Sequence, residues 1–266
     1  MGRPLLLALA LVSSAPAFSA ELYVIRVEAV SALNADPCSQ VSWRDNLIFY
    51  NATADPLAIR LLEVSNGGLR RLPAIALRLP PGKSLNSAGR INWNSASGDP
   101  IWVNKIDVPE GVVLRSRVEA GFNGCVVGGI PPSGIADFGA FSLPVFEQLV
   151  PAGNPQVHLG ADLGAQPSSV NVGVYNDGLR TATVSVEVHQ VCNDAILETL
   201  SFTIPAKTLR QVGGVGLTET SCPFPGSESN SWMRYVKVTA DQPGFSYIVN
   251  RSTAIPSSPV IPYASP

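Results

Sequence analysis

The stretch VGVYNDGLRTATVSVEV, residues 172–188, sets valines in alternation with polar and small residues on either side of Asn176-Asp177-Gly178. Apolar, β-branched residues at every second position predict half-buried strands, and the Asn-Asp-Gly run between them predicts a turn. A second stretch, LIFYNATADPLAIRLLEV (47–64), has the same plan, with Tyr50-Asn51 standing 125 residues before Tyr175-Asn176. That offset also places Ile59 against Val184, Leu61 against Val186 and Leu79-Pro80 against Ile204-Pro205, and a one-residue slip then aligns Leu85 with Leu209. Downstream, WVNKIDVPEGVVLRSRV and RYVKVTADQPGFSYIVNR share a strand, a short Pro- and Gly-containing turn and another strand. One supersecondary plan therefore occurs twice. The match falters where Glu63 aligns with Val188, which predicts a bulge or a different inward face in the first copy. A Tyr-Asn pair recurring at one point of two hairpins is expected to serve the scaffold, Tyr by packing at the strand end and Asn by supporting the turn.

Around these hairpins each copy reads as six or seven short strands. The first comprises ELYVIRVEAV, DNLIFYN, LAIRLLEV, AIALRLP, IWVNKIDV and VVLRSRVEA, with a further short strand at RINW. The second comprises QVHLGADL, SVNVGVYN, TATVSVEVHQV, LETLSFTIP, TLRQVGGV, MRYVKVTA and FSYIVNRST. Short strands punctuated by turn residues predict an all-β, antiparallel sandwich in each copy rather than a barrel or a parallel sheet. The Gly, Pro and Ser of GGIPPSGIADFGAFSLP (128–144) mark the boundary, giving a first domain over 21–130, a linker over 131–143 and a second domain over 144–266 that ends in a Pro-rich tail.

The VNVGVYN hairpin, the strand pair VTADQPGFSYIVNRST and the upstream WRDNLIFYNATADPLAIRLLEVSNG resemble the tandem Ig-like β-sandwich modules of secreted, mostly uncharacterised bacterial proteins. The resemblance spans most of the chain after residue 20 and rests on hydrophobic alternation and turns. It implies two tandem Ig-like antiparallel sandwiches and a part in cell-surface or extracellular recognition and structure. It brings no catalytic residues with it.

The first twenty residues predict export. Arg3 and the amino terminus precede the apolar run Leu5–Val12, and small residues follow, as in a secretory signal peptide. Cleavage fits after Ala17 or after Ala20. As a helix the apolar run spans only about 12 Å, far short of a bilayer core, so no stable membrane insertion is expected once it is removed. The net charge of −2 is scattered along the chain and offers no footprint for nucleic acid.

In an exported chain the four cysteines, Cys38, Cys125, Cys192 and Cys222, predict disulfides, and three pairings are possible. The sequence-local one joins Cys38 to Cys125 and Cys192 to Cys222. In the chain-entropy model those loops contribute roughly 4.6 and 3.6 kcal/mol. A zinc site has little to draw on, with no Cys-x-x-Cys and only His158 and His189. No metal and no cofactor is expected.

Catalytic patterns are scarce. A serine hydrolase needs a base and an acid to orient it. His189 shares the polar parity of Ser185 and Glu187, which predicts a solvated side chain, whereas His158 opens the second copy near Asp162. No Gly-x-Ser-x-Gly elbow occurs. Glu63, Asp107, Glu119, Glu187 and Asp241 read as outward strand or turn residues rather than a glycosidase pair. GGVGLTET (213–220) lacks the lysine and helix of a phosphate loop. The NADPC and NDGLR segments offer too few oxygens for calcium, and the sequons at Asn51 and Asn250 read as coincidental. Trp93 and Trp102 flank the polar loop NSASGDPI and, if exposed and coplanar, would stack on sugar rings; core packing is the competing reading, and suits Trp43 and Trp232 as well.

These features together predict a secreted or periplasmic, non-enzymatic binding or structural module whose partner is a protein or polysaccharide at the cell surface. A carbohydrate-binding module using Trp93 and Trp102 is the first alternative. A small secreted hydrolase, marked by a cleft with converging carboxylates or by His158 partnered with a serine, is the second.

Overall fold

The computed structural model describes residues 19–32, 39–65, 69–86, 101–124, 140–141, 143–159, 169–216, 222–223, 230–231 and 234–251. Every regular element among them is a strand. The first half supplies β1 (Ser19–Ala32), β2 (Ser39–Asn51), β3 (Leu57–Ser65), β4 (Leu69–Leu79), β5 (Ser84–Asn86), β6 (Ile101–Pro109) and β7 (Val112–Gly124). Two short strands follow, β8 (Ala140–Phe141) and β9 (Val145–Phe146). The second half supplies β10 (Gln156–Leu159), β11 (Ser169–Asn176), β12 (Ala182–Gln190), β13 (Ile196–Ile204), β14 (Thr208–Val215), β15 (Cys222–Pro223), β16 (Asn230–Ser231), β17 (Arg234–Ala240) and β18 (Gly244–Arg251). The hairpin at 172–188 is β11, its turn and most of β12, as the alternation of valines requires.

The strand order repeats between the halves. In the first, β4, β3, β6 and β1 lie side by side and β5, β2 and β7 form a second set. The second half repeats this as β13, β12, β17, β10 and as β14, β11, β18. Apolar side chains from both sets meet between them: Leu22, Val24, Ile59, Leu61 and Ile106 face Leu47 and Phe49 in one core, and Val184, Val186, Val188, Val236 and Val238 face Val170, Val172, Val174 and Ile248 in the other. In the first half β1 pairs with β6 through Val27 and then with β2 from Glu28 onward. It thereby ties the first half's two sets into one continuous sheet.

The pairing register resolves the imperfect repeat. A bulge in β3 between Leu61 and Glu63 puts Glu63 opposite Lys105, as Glu187 lies opposite Lys237, and Val64 takes the core place of Val188. The slip expected at Leu85 does not occur: Tyr50 pairs with Ser84 as Tyr175 pairs with Leu209, so the offset of 125 persists there. Leu85 packs on the first core, whereas Leu209 faces outward.

The described residues of the join between the halves are paired with the first half's strands. Within the expected linker, β8 pairs with β7. The start of the expected second domain, β9, pairs with β1, Phe146 opposite Tyr23. The outer face of the β14-β11-β18 sheet then lies against the outer face of β1 and β6. Tyr175, Leu209, Phe245 and Tyr247 from the second half form a third core with Tyr23, Ile25 and Val103 from the first and Leu143 from the join. Gly173 is required in this layer because the Tyr247 ring lies across it, 2.0 Å from where a Cβ would stand. The expected strand at RINW lies outside the described residues.

Candidate functional site

The Tyr-Asn pairs come apart into two roles. Asn51 Nδ2 donates to the carbonyls of Asp55 (2.7 Å) and Leu79 (3.0 Å), while its Oδ1 accepts from the Thr53 amide (2.9 Å). Asn176 repeats each bond: Nδ2 donates to the carbonyls of Arg180 (2.8 Å) and Ile204 (3.1 Å), and Oδ1 accepts from the Gly178 amide (2.8 Å). Both asparagines are buried, and their bonds to Leu79 and Ile204 satisfy buried carbonyls at the ends of β4 and β13. The tyrosines diverge. Tyr50 is 43% exposed, whereas Tyr175 is 1% exposed in the seam between the halves. The Tyr175 hydroxyl donates to Ser65 Oγ (2.8 Å) and lies 3.1 Å from Asp177 Oδ1. Its ring packs 5.1 Å from Phe245, which stacks on Phe146 at 4.0 Å. Burial raises the phenol's pKa far above the ordinary value.

His158 does have a serine. Its Nε2 lies 2.6 Å from Ser246 Oγ, and the Ser246 amide donates to Gln156 Oε1 at 2.7 Å. The pair is sealed inside the second core, with both side chains fully enclosed. Burial lowers the imidazole to about 4. Nδ1, where a triad would place its carboxylate, has no partner among the described residues, and Asp162 lies outside them. What the arrangement does is fasten β10 to β18 across the sandwich.

Trp102 is 2% exposed in the first core, beneath the Arg26 guanidinium at 5.7 Å from its ring centroid. This corrects the sugar-platform expectation for Trp102, because the residue falls on the inward parity of β6 with Ile106 and Val108. Trp93 lies outside the described residues. Arg26 in turn pairs with the buried Asp45, Nε to Oδ2 at 2.5 Å, and the Val27 amide donates to Asp45 Oδ1 at 3.0 Å. Burial nevertheless pushes the Asp45 carboxyl above the usual range.

The outer face of the second half's larger sheet carries the most concentrated polar chemistry. Successive pairings align Leu159, Tyr235, His189 and Ile196 across β10, β17, β12 and β13. His189 was expected to be solvated. It is buried instead, because its ring stacks on Tyr235 at 4.6 Å and lies between two carboxylates, Nε2 3.1 Å from Glu187 Oε2 and Nδ1 3.2 Å from Asp194 Oδ1. The Tyr235 hydroxyl donates to Asp194, and Lys237 Nζ donates to Glu187 at 3.0 Å. Hydrogen bonds from Lys237 and His189 hold Glu187 below the usual carboxylate range, and that from Tyr235 does the same for Asp194. The Tyr235 phenol is pushed up to about 12, by burial first and by Asp194 next. Exposed Leu159, Val191 and Ile196 belong to this row or border it. Flat, stacked rings with fixed charges and an apolar rim suit contact with another surface. Among the described residues no cluster of three or more His, Cys, Asp or Glu is placed to hold a metal ion.

Cys192, at the end of this hairpin, is disulfide-bonded. Cys222 opens β15, and Cys38 and Cys125 lie outside the described residues. Sequence reasoning missed Asp194, Tyr235, Ser246 and the Arg26–Asp45 pair. One signal was available for the seam: GFSYIVN (244–250) has large apolar residues at both parities, the mark of a strand buried on two faces.

No family model, no curated protein and no solved structure matches the chain.

Proposed function

We propose that the chain is an exported, non-catalytic binding or structural module of the cell surface or extracellular space, made of two tandem Ig-like β-sandwiches. The observation that carries this reading is the seam of Tyr23, Tyr175 and Phe245, which joins two halves of one strand order into a single body with a broad sheet face left outward at each end. Such a body presents surfaces. The pairing of second with fifth and third with sixth strand in each half supports the Ig-like reading. The first and seventh strands depart from it, pairing with the sixth and second respectively in the first half, so they have exchanged sheets relative to the antibody arrangement. Cleavage after Ala17 is the favoured site, because Ser19 and Ala20 pair with Pro109 and Val108 in β1. Cys192 is assigned to Cys222, and Cys38 to Cys125. A surface protein or polysaccharide remains the partner class.

Sedimentation of the oxidised protein with washed bacterial envelopes and with insoluble polysaccharides tests the reading. Retention on either, unchanged by His158→Ala, supports a binding module. Ester or glycoside hydrolysis abolished by His158→Ala would replace it with the hydrolase.

A further inference from the structure

The seam between the halves has two matching counterparts that carry exposed apolar side chains among the described residues. It joins the outer face of the second half's smaller sheet to the outer face of the first half's larger one. Register identifies the equivalent residues. On the donating side, Tyr50 and Val113 pair with each other as Tyr175 and Phe245 do. On the receiving side, Tyr23 and Val157 lie opposite Lys105 and Lys237 respectively. Ile25 and Leu159 likewise lie opposite Val103 and Tyr235. Ser65, which accepts the Tyr175 hydroxyl, corresponds to His189, since they lie opposite Val103 and Tyr235. Where the seam is made, these positions are buried. At the counterparts, Tyr50 is 43%, Val113 58% and Leu159 54% exposed. These are three of the six large hydrophobic side chains exposed among the described residues, and Val191 and Ile196 border the same receiving row.

We infer that the partner of each open face is a second copy of this chain: the Tyr50–Val113 face of one molecule docks head to tail on the Val157–Leu159–Tyr235 face of another, repeating the internal seam. The two faces differ and are complementary, so the contact is heterologous and continues into chains or closes into a ring. Tyr50 would reach His189 as Tyr175 reaches Ser65. The intermolecular version is weaker than the internal one, because Leu209, Phe245 and Tyr247 are represented by Ser84, Val113 and Arg115. Reversible association follows, rather than an obligate oligomer. This rests on the two-module reading and goes beyond it by naming the partner.

Sedimentation velocity of the oxidised full chain at concentrations up to about 1 mM tests it. The mean mass is expected to rise with concentration. Tyr50→Glu and Leu159→Glu should each weaken association by roughly tenfold or more. Both residues are exposed, so unchanged circular dichroism serves as the folding control. The decisive sample mixes the two variants, because each retains the face that the other has lost: the mixture should form dimers and nothing larger, while the double variant stays monomeric. A wild type that is monomeric throughout overturns the inference, as does association lost in only one variant or in neither, or a mixture that stays monomeric. A monomer still retained on envelopes would remove self-assembly and leave the surface-module reading standing.

Discussion

The two halves share a strand order and an asparagine-supported turn, yet they bury different chemistry. Where the first half packs Leu22, Val24 and Leu114, the second has Gln156, His158 and Ser246. Where the first half leaves Tyr50 in solvent, the second buries Tyr175 against its neighbour. The backbone plan therefore tolerates an apolar or a hydrogen-bonded interior: His158 Nε2 and Gln156 Oε1 are satisfied at Ser246, while His158 Nδ1 is left without a partner among the described residues. The outward face is likewise free to be solvent-facing or adhesive. Topology in this molecule sets which positions are paired, and composition sets what each face does.

The largest effect should come from the tyrosines. Tyr175→Ala empties a site in the seam and should cost about 3–5 kcal/mol, whereas Tyr50→Ala, in dilute solution, should stay within about 0.5 kcal/mol. Urea unfolding of the two variants checks this. Equal costs would mean that the seam is not where the halves differ.

The sealed His158 should make the second half acid-sensitive. Its imidazole stays neutral in the native state down to about 4, while the unfolded chain takes up a proton near 6.5. Stability is thus complete above about pH 6.5 and falls as the pH drops toward about 4, by roughly 3 kcal/mol in all. His158→Val combined with Ser246→Ala, which brings the site closer to the first half, should remove that part of the slope. Denaturant midpoints of both proteins between pH 7 and 4 measure it, because the carboxylate contributions are common to the two. Parallel profiles would show that His158 ionises in the folded protein.

The shared turn predicts sameness instead. Asn51→Ala and Asn176→Ala each strand buried backbone groups and should each cost roughly 2–3 kcal/mol. A difference much beyond about 1 kcal/mol, read from the same urea titrations, would mean that the matched hydrogen bonds do unequal work in the two halves.

Much of this plan was legible in the chain itself. Period-two valines and the 125-residue offset locate the hairpins, and the misfit of Glu63 marks the bulge. Parity fixed which face each residue occupies. It could not say what covers that face, and for this reason Tyr175 and Tyr50 look alike in sequence while one is buried and the other is not. Trp102 illustrates the converse. Proximity to a polar loop suggested a sugar platform, but its inward parity on β6 decides its fate. His189 falls between the two cases: its outward parity was readable, while its enclosure depends on Tyr235 and Asp194, 46 and 5 residues away in sequence. The Ser246 partner of His158 is invisible for the same reason, at a separation of 88 residues.

The smallest difference lies in the turn before the fifth strand of each half. Gly82 and Lys207 stand 125 residues apart and both have left-handed backbones, φ 62 and 54. Glycine adopts that region freely, whereas a residue with a Cβ does so at a cost of about 1 kcal/mol. Lys207 has a compensation that Gly82 cannot have. Its ammonium pairs at 3.0 Å with Asp177, the same carboxylate that lies beside the Tyr175 hydroxyl. Lys207→Ala should lose the ion pair and keep the strain, while Lys207→Gly loses the pair but relieves the strain. The glycine variant should therefore be the more stable of the two by about 1 kcal/mol, close to wild type. Thermal unfolding ranks them. If alanine is tolerated as well as glycine, the left-handed turn carries no strain, and Lys207 is there for Asp177 alone.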